Sequence, residues 1–378
     1  MSKYSPAEAR ALYEELSDQT DIVGHANCGN RALELVLRFR ERTSAVGNDY
    51  IAEEEPSADT DDGPPQLRFR VASPWHALIH LEVNNRGWLE GKQGPLRTPL
   101  IYRGQRDARW SLVPSLLRRD AHAEREEQRR LRFNRLVREA LTARPDSTLP
   151  DLTDSEVVSD EVLEATAQHY GIRTRLLDFT SDAAVAVWFA CHGGTRGDNA
   201  SVFALPLAMG ALFDVGVVLP HPLALRPYRQ HGLFLRDTLH YLKRFLIEIR
   251  FPLDPDFEIR RDRLPTTPLP QDGWWETLMS ESDRDPSTRP RVEPSHQQVR
   301  ESYEESLLHL LQMLMELTTF DVERDPALNH NVIALIVKAN RRMLQACESD
   351  LRALGRRHFQ GTMGQYVVPR LLDRLGAA

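Results

Sequence analysis

Residues 168–191 read QHYGIRTRLLDFTSDAAVAVWFAC, a polar segment that runs directly into a strongly apolar one. The spacing predicts a helix from Glu161 to Tyr170 that Gly171 stops, and a second helix over Ala183 to Cys191. Ser181 is the expected N-cap of the second helix, because a hydroxyl there accepts a hydrogen bond from the first turn. Polar, functional side chains therefore crowd the loop between a helix end and a helix start.

The start of the second helix is suited to an anion such as a pyrophosphate. Its first backbone N–H groups have no partner inside the helix, and the hydroxyls of Thr180 and Ser181 stand beside them. The structural alternative is that Asp178, Thr180 or Ser181 serves only as a helix cap. His169 also has two interpretations, as a general base or as a hydrogen-bonded structural residue.

A second polar segment, Arg103-Gly104-Gln105, follows a short strand predicted for Pro99 to Tyr102. An arginine at a strand end places a guanidinium at a cleft edge, and the glycine after it lets a ligand approach the backbone closely. A guanidinium suits bidentate recognition of phosphate or carboxylate. The alternative is an internal ion pair between Arg103 and a carboxylate such as Asp178.

The third polar segment lies between two predicted strands, Ser201 to Leu205 and Phe245 to Phe251. Here Gln230 and His231 stand beside Gly232, and their side chains are able to hydrogen-bond a ribose or an amide. The alternative is an ordinary turn that a neighbouring phenylalanine holds by packing.

In their order and spacing these segments resemble the FRG domain family, which is named for its Phe/Tyr-Arg-Gly signature. The resemblance rests on Tyr102-Arg103-Gly104-Gln105, Trp110-x-Leu-x-Pro114-Ser115-Leu-x-Arg118, His169-Tyr170-Gly171-x-x-Thr174-Arg175-Leu-Leu-Asp178-Phe179-Thr180, Ala184-x-x-Val187-Trp188-Phe189-Ala190 and Gln230-x-Gly232-x-Phe234. It covers roughly Ser73 to Leu253. The chain departs from the family at Ile172, where proline is common, and after Phe251, where the usual closing Phe-Pro-Asp-Leu segment is missing.

The layout of that family is similar to that of ADP-ribosyltransferases of the Arg-Ser-Glu type, which use NAD. This similarity implies that Arg103 holds the NAD phosphates or ribose and that Thr180-Ser181 forms the second motif. The third position falls on Gln230 or on Glu248. No Glu-x-Glu pair is present, and the alternation of its strand also allows Glu248 to face solvent.

The candidate site residues fall into two overlapping groups. The expected catalytic residues are Arg103, His169, Thr180, Gln230 and Glu248. The expected NAD-binding residues are Arg103, Gly104, Gln105, Arg175, Asp178, Ser181 and Gln230. We expect one pocket to be bordered by Arg103, Gln105, His169, Arg175, Asp178, Thr180 and Gln230.

No metal site is expected. His76 and His80 are spaced i, i+4 on a predicted helix, but the glutamate of the zinc protease motif is absent between them. The other histidines are scattered without cysteine partners. Cys191, at the end of an apolar helix, is expected to be a buried small hydrophobe, and no Gly-x-Ser-x-Gly elbow of a hydrolase follows a strand.

The remaining segments give the domain organisation. We predict an α+β fold, in which a central FRG-type domain of mixed sheet and helices has helical N- and C-terminal flanks. The predicted divisions are an N-terminal helical region (1–50), an acidic linker (51–72), the FRG-like domain (73–255), a Pro/Asp-rich linker (256–295) and a C-terminal helical region (296–378).

Several helices are predicted within these divisions. Ser5 is expected to cap one that runs to about Asp18, and others are predicted from Asn30 to Arg42, from Pro74 onward and from Ala121 to Thr142. In the C-terminal region, the predicted core face of a helix consists of Leu307, Leu310, Leu311 and Leu314.

Composition argues against several classes of protein. The 378 residues carry 55 acidic and 48 basic side chains, a net charge of −7, whereas a dedicated nucleic-acid binder usually has a basic surplus. The longest apolar runs are about half of a membrane span, so no membrane partner is expected. Cys28, Cys191 and Cys347 lie too far apart for a C-x-x-C knuckle and indicate a reducing cytoplasm.

The function predicted from these features is a cytoplasmic, bacterial, nucleotide-binding enzyme. It is either an NAD-dependent ADP-ribosyltransferase or an NAD glycohydrolase, acting as a toxin or a phage-defence effector, with a protein, a nucleic acid or water as acceptor. One alternative is a non-catalytic module whose cleft binds a nucleotide or an acidic peptide. Another is a structural polar network, with the helical ends forming an oligomer or partner interface.

Overall fold

The computed structural model describes residues 5–11, 13–14, 53–54, 67–89, 100–110, 112–118, 122–142, 149–152, 154, 157–196, 198–207, 216–236, 246–259, 273–282, 295–318, 326–358 and 372–373. These residues form an α+β fold in which helices pack on both faces of one mixed sheet, as the sequence predicts. The predicted helix from Asn30 to Arg42 lies outside the described residues.

The sheet contains eight strands within the described residues. They are β1 (Glu53–Glu54), β2 (Leu67–Arg70), β3 (Leu100–Gln105), β4 (Leu177–Thr180), β5 (Asn199–Pro206), β6 (Val217–Val218), β7 (Gly232–Leu235) and β8 (Ile247–Pro252). Their order across the sheet is β1-β2-β8-β5-β3-β4-β7-β6. The pair β2–β8 is parallel, and the other neighbouring pairs are antiparallel.

The helices follow the chain order of the predicted segments. They are α1 (Pro74–Leu89), α2 (Ala123–Thr142), α3 (Asp160–His169), α4 (Ala183–Cys191), α5 (Leu225–Arg229), α6 (Gly273–Ser282), α7 (His296–Thr318), α8 (Pro326–Ala346) and α9 (Glu348–His358). Residues 6–11 and 13–14 are also helical. The predicted cap of that first helix is confirmed, because the Ser5 N–H donates to the Glu8 carboxylate at 2.7 Å and the Glu8 N–H donates to Ser5 Oγ at 3.3 Å.

Each face of the central sheet is covered by its own hydrophobic cluster. On β3, Tyr102 packs with residues of α1 and α4, whereas its neighbour Ile101 packs in a larger cluster that includes residues of α2, α3 and α6. This division follows from the alternation of side chains along a strand. Apolar side chains therefore cover both faces of β3, so a polar side chain on this strand needs a hydrogen-bond partner within the protein.

The backbone of β3 touches the backbone of α4 at Gly104. A Cβ placed on Gly104 would lie 1.9 Å from the carbonyl oxygen of Ala186 and 2.8 Å from the backbone nitrogen of Ala190. Neither backbone atom is able to move aside without moving the helix. The sequence predicts that Gly104 lets a ligand approach; in the structure the group that approaches is a helix.

The strands around the polar segments differ from the predicted ones. β3 continues three residues beyond Tyr102, so Arg103 lies inside the strand and not after its end. The loop predicted between the two helices of residues 168–191 contains β4, and the turn predicted around Gly232 is β7. Both strands have only four residues, too few for alternation to distinguish them from loop.

Both predicted linkers contain regular structure. The acidic segment includes β1 and β2, and β2 joins the sheet beside β8, so that part of the linker prediction is wrong. The Pro/Asp-rich segment contains α6, which buries Trp274 and Trp275. Trp275 stacks on Tyr170 with ring centroids 5.8 Å apart, and its Nε1 donates to the Leu223 carbonyl at 3.0 Å. Burial of two indoles orders a segment whose average composition resembles a linker.

The C-terminal helices share the larger hydrophobic cluster with the FRG-like segment. The predicted core face of α7 is confirmed, since Leu307, Leu310, Leu311 and Leu314 are all buried in that cluster. Asn340 of α8 donates to the Val217 carbonyl of β6 at 2.7 Å and accepts from the Leu219 N–H at 2.8 Å. The placement of the domain boundaries remains a prediction.

Within the described ranges, no helix is both long enough and apolar enough to cross a membrane.

The contact at Gly104 predicts a large effect of one methyl group. Gly104→Ala should lower the free energy of unfolding by roughly 3 kcal/mol, because α4 must shift away from β3. Gly273→Ala is the matched control, since no atom of the described residues lies within 4 Å of the position that its Cβ would take. Urea unfolding of both variants measures the difference. Equal stability of the two variants would show that α4 does not rest on β3.

Candidate functional site

Arg103 forms an ion pair with Asp178 across the β3–β4 boundary. Its Nη1 donates to the Asp178 carboxylate and, at 2.7 Å, to the Asp178 carbonyl oxygen. The Arg103 side chain is only 11% exposed, and its Nε has no hydrogen-bond partner among the residues that the structure describes. The internal ion pair weighed in the sequence analysis is therefore present, and the guanidinium charge is compensated within the protein.

Asp178 is the more exposed residue of this ion pair. Its side chain is 47% exposed, and the oxygen that faces Arg103 also accepts a hydrogen bond from Gln168 Nε2 at 2.6 Å. Partial burial acts to raise the pKa of the Asp178 carboxyl, but the charge and hydrogen bond of Arg103 outweigh it and the pKa is lowered. Asp178 is therefore an ionised carboxylate with one side open to a ligand.

Gln168 and Thr174 form a supporting layer behind Asp178, a role that the sequence does not predict for either residue. Gln168 Oε1 accepts a hydrogen bond from the hydroxyl of the fully buried Thr174. The Thr174 N–H donates to Ser115 Oγ at 3.1 Å, which ties the loop before β4 to the segment after β3. Both residues lie in the quoted motifs, but only the folded chain shows that they share one network.

His169, the last residue of α3, points its imidazole toward the same region. The ring packs edge-on against Phe234 with centroids 5.2 Å apart, and the Gln230 side chain is its polar neighbour. Nε2 is buried and makes no hydrogen bond of good geometry within the described residues. Burial lowers the pKa of His169 to about 4, despite the opposing attraction of Asp178. The imidazole is therefore neutral at physiological pH.

Gln230 completes this side of the site. Its side chain is 4% exposed and interacts with the His169 ring, and its Oε1 makes no other hydrogen bond within the described residues. Its carbonyl oxygen accepts a hydrogen bond from Thr180 Oγ1 at 2.7 Å. Thr180 thus ties β4 to the turn before β7, and its hydroxyl is engaged by protein.

The N-cap of α4 is a residue for which no role is predicted from the sequence. The N-cap is Asp182, whose carboxylate accepts hydrogen bonds from the Ala184 N–H at 2.8 Å and the Val185 N–H at 3.4 Å. The prediction that Ser181 caps the helix is wrong; its N–H donates to the His231 carbonyl at 3.2 Å. A carboxylate already accepts the Ala184 and Val185 N–H groups at the helix start, so these two groups are not open to a pyrophosphate.

Gln105 and Ser201 face each other across β3 and β5. Gln105 is 3% exposed, and neither Nε2 nor Oε1 of its amide has a hydrogen-bond partner in the described part of the chain. The same holds for the hydroxyl of Ser201, which is fully buried. Gln105 shares a strand face with Arg103, about 7 Å along β3. No sequence pattern indicates Ser201, because one amino-acid sequence does not show which residues of two strands lie opposite each other.

Two predicted site residues lie apart from these contacts. Arg175 is exposed, and its N–H donates to Glu164 Oε1 at 3.1 Å. Glu248 shares a sheet face with Arg103, but Phe203 stands between them in the register. Glu248 does not face solvent, since it is 2% exposed and accepts hydrogen bonds from Arg68 Nε and Arg250 Nε, each at 2.8 Å.

Titratable side chains elsewhere have structural surroundings. His76 Nδ1 lies 2.7 Å from Ser73 Oγ, and burial lowers the pKa of His80 to about 4. Cys191 is 1% exposed, as predicted, and burial raises the pKa of its thiol to about 12. In the part of the chain that the structure describes, no three side chains of His, Cys, Asp or Glu are grouped to hold a metal ion.

We define the polar cluster as Arg103, Gln105, His169, Asp178, Ser201 and Gln230. These side chains combine one compensated ion pair, one neutral imidazole, two amides and a hydroxyl. Most of their free hydrogen-bonding capacity is buried and unused. Such an arrangement is able to bind an uncharged polar group tightly and to stabilise a developing positive charge beside Asp178.

Residues 98–199 match the family model of the FRG domain. The matched region begins just before β3 and ends at the first residue of β5, so it contains Arg103, Gln105, His169 and Asp178 of the polar cluster. Ser201 and Gln230 follow it. The chain has no significant match among curated proteins or among solved structures.

The Arg103–Asp178 pair predicts that lysine cannot replace Arg103. Arg103→Lys should lower the free energy of unfolding at pH 7 by about 1–2 kcal/mol, because the shorter lysine side chain does not bring its ammonium to the place where Arg103 Nη1 contacts both the carboxylate and the carbonyl oxygen of Asp178. The effect is modest because the Asp178 side chain is half-exposed. The control is Arg109→Lys, whose side chain is 89% exposed in its pair with Asp107 and should not change stability measurably. Thermal and urea unfolding compare the variants. An Arg103→Lys protein as stable as wild type would exclude a structural role for the pair.

Burial of neutral histidines predicts acid-sensitive stability. The pKa values of His80, His169 and His221 are lowered from 6.5 to about 4, so the unfolded state binds protons that the folded state does not. The free energy of unfolding should therefore fall as the pH drops from about 6.5 to 4, by at most ~1.4 kcal/mol per pH unit for each histidine.

Urea unfolding at pH 7, 6 and 5 tests this dependence. His169→Gln should reduce the slope by about a third, whereas replacing the exposed His122 by Gln should leave it unchanged. An unaltered slope in His169→Gln would mean that the imidazole titrates normally and is in contact with water.

Proposed function

We propose that the FRG domain, with Ser201 and Gln230, binds NAD at the polar cluster and cleaves its nicotinamide–ribose bond. One observation carries the proposal: side chains of the polar cluster bury polar atoms that have no hydrogen bond within the described residues, and Asp178 of the same cluster is ionised and half-exposed. These atoms are Arg103 Nε, Gln105 Nε2 and Oε1, and Ser201 Oγ, whereas the His169 ring and the Gln230 side chain have each other as a polar neighbour. Each unpaired group costs about 1–3 kcal/mol, which a protein tolerates where a ligand or water restores the hydrogen bond.

The charges of the site favour the nicotinamide ribose half of NAD. Arg103 is already compensated by Asp178, and Asp182 accepts two N–H groups of the helix start, so these groups are not free to hold a phosphate. The oxidised nicotinamide ring is cationic and suits the open side of Asp178. Its carboxamide has one donor and one acceptor group, which complement the amide of Gln105. Arg103 then positions Asp178 and is not a phosphate clamp.

The same residues fit the chemistry of bond cleavage. When the bond between ribose C1′ and the ring nitrogen breaks, nicotinamide leaves neutral with the electron pair, and positive charge develops on C1′. The Asp178 carboxylate stabilises that charge. An oxygen of water or of another acceptor then bonds to C1′ and loses its proton to solvent. His169, which is neutral, accepts a hydrogen bond at Nε2 from the incoming hydroxyl.

A non-catalytic nucleotide-binding module is the second candidate. It is favoured by Glu248, the carboxylate that the ADP-ribosyltransferase comparison assigns to the ribose. Glu248 is buried and paired with Arg68 and Arg250 behind Phe203. If Asp178 serves only to bind, the cluster holds the nucleotide without turnover. Measurements of binding and of nicotinamide release on the same samples separate the two functions.

Consumption of NAD would make the protein a toxin or a defence effector of a bacterial cell. The cleavage needs no second protein, since water is a sufficient acceptor. Expression of the wild-type chain in bacteria should then deplete cellular NAD, and expression of Asp178→Asn should not. Normal NAD levels with the wild-type protein, at equal expression, would exclude this role.

Replacement of one orphaned amide gives a direct test of NAD binding. Gln105→Leu should weaken NAD binding about tenfold or more in calorimetric titration and leave the melting temperature equal or higher, because the lost amide has no partner in the free protein. Asn134→Leu is the matched control: Asn134 is 4% exposed, has an unpartnered amide and lies on α2 outside the cluster. It should leave NAD affinity unchanged.

Asp178→Asn distinguishes catalysis from binding. The variant should keep NAD affinity within several-fold and lose nicotinamide release by about a hundredfold or more, since the amide carries no charge to stabilise the transition state. Chromatography of released nicotinamide gives the rate. Binding by wild type without any release would favour the module, and no binding of millimolar NAD would exclude both candidates.

A further inference from the structure

The surface beyond the end of β3 exposes large hydrophobic side chains. Trp110 is 40% exposed, Leu117 47% and Phe189 42%, and these are three of the four large hydrophobic residues that the described part of the chain exposes. An exposed indole that stands next to charged side chains is typical of an interaction surface.

Arginines stand over the exposed indole. The guanidinium carbon of Arg106 lies 5.1 Å from the Trp110 ring centroid, and that of Arg118 lies 5.9 Å from it. Arg106 Nη1 also contacts the Gly193 carbonyl at 3.4 Å, which places Trp110 beside the end of α4, where Phe189 lies. Trp110 and the two arginines therefore form one surface next to the end of α4, which we call the Trp110 surface.

Arg106 and Arg118 bring two positively charged side chains to the Trp110 surface, although the chain as a whole has a net charge of −7. Asp107 is the acidic group next to this surface, and a bidentate hydrogen bond from Arg109 compensates it and lowers its pKa to about 2. Among the described residues, Arg106 has no carboxylate partner; its contacts are a carbonyl and a ring. A phosphate group is the anion that would complete this arrangement.

We propose that the Trp110 surface binds single-stranded nucleic acid. Unpaired bases stack on exposed aromatic rings and on guanidinium planes, while arginines neutralise the adjacent phosphates. A surface with an aromatic ring and arginines side by side provides both, whereas an acidic peptide would use only the charges. The proposal does not rest on NAD binding. Because Arg106 directly follows Gln105, the bound nucleic acid would nevertheless pass close to the polar cluster.

Fluorescence anisotropy with a fluorescein-labelled 20-nucleotide oligo(dT), and with oligo(rU) of the same length, tests the proposal. Wild type should bind both at about 50 mM salt and lose affinity as salt increases. Trp110→Ala and Arg106→Ala should each weaken binding about tenfold, and Arg106→Ala should also reduce the salt slope by about one unit. A 20-base-pair duplex should compete poorly.

Two control variants come from α2. Leu131 is 52% exposed and matches Trp110 as an exposed apolar side chain, and the Arg135 side chain, also 52% exposed, matches Arg106. Leu131→Ala and Arg135→Ala should bind like wild type, and all four variants should melt near the wild-type temperature. Asp178→Asn should bind oligonucleotides normally, so failure of the NAD proposal leaves this one intact.

The proposal is overturned if wild type binds neither oligonucleotide at low salt, or if Trp110→Ala binds as well as wild type. It is equally overturned if poly-glutamate displaces the oligonucleotide as efficiently as unlabelled oligo(dT) does. That last result would assign the surface to acidic protein segments instead.

Discussion

The absence of a side chain on Gly104 determines how the centre of the molecule is assembled. Without a Cβ, the backbone of α4 rests directly on β3, with Ala186 and Ala190 at the contact. The first turn of α4 follows β4 after two residues, and so the contact also sets where Asp178 lies relative to Arg103. The distance between the backbones of α4 and β3 thus controls the distance between the charged groups of Arg103 and Asp178.

The polar cluster combines a rigid support with unused hydrogen-bonding groups. The support consists of hydrogen bonds that join Gln168, Thr174 and Ser115 to one another or to Asp178. The groups that make these bonds are therefore engaged within the protein. Gln105 and Ser201, by contrast, are buried on a strand pair with their polar atoms unpaired. A fold evolved for stability alone would fill these positions with apolar side chains. The hydrophobic clusters on both faces of the sheet offset their cost.

Sequence alone predicted those features that depend on local pattern. The apolar run of α4, the Ser5 cap and the leucines of α7 follow from helical spacing and capping chemistry, and the structure confirms them. The motifs also pointed to Arg103 and Asp178 as a pair. Features that depend on distant contacts could not be predicted. The opposition of Gln105 and Ser201 needs the strand register, and α6 is ordered by stacking on Tyr170.

The parallel pairing of β2 with β8 has a consequence for synthesis of the chain. Arg68 and Glu248, which meet in this pair, are 180 positions apart. During translation, the ribosome must therefore add about two-thirds of the chain before β2 finds its neighbour. Until then β2 has one unpaired edge, which is open to strands of other nascent copies. This side of the sheet is completed late, and conditions that slow translation or crowd nascent chains would affect it first.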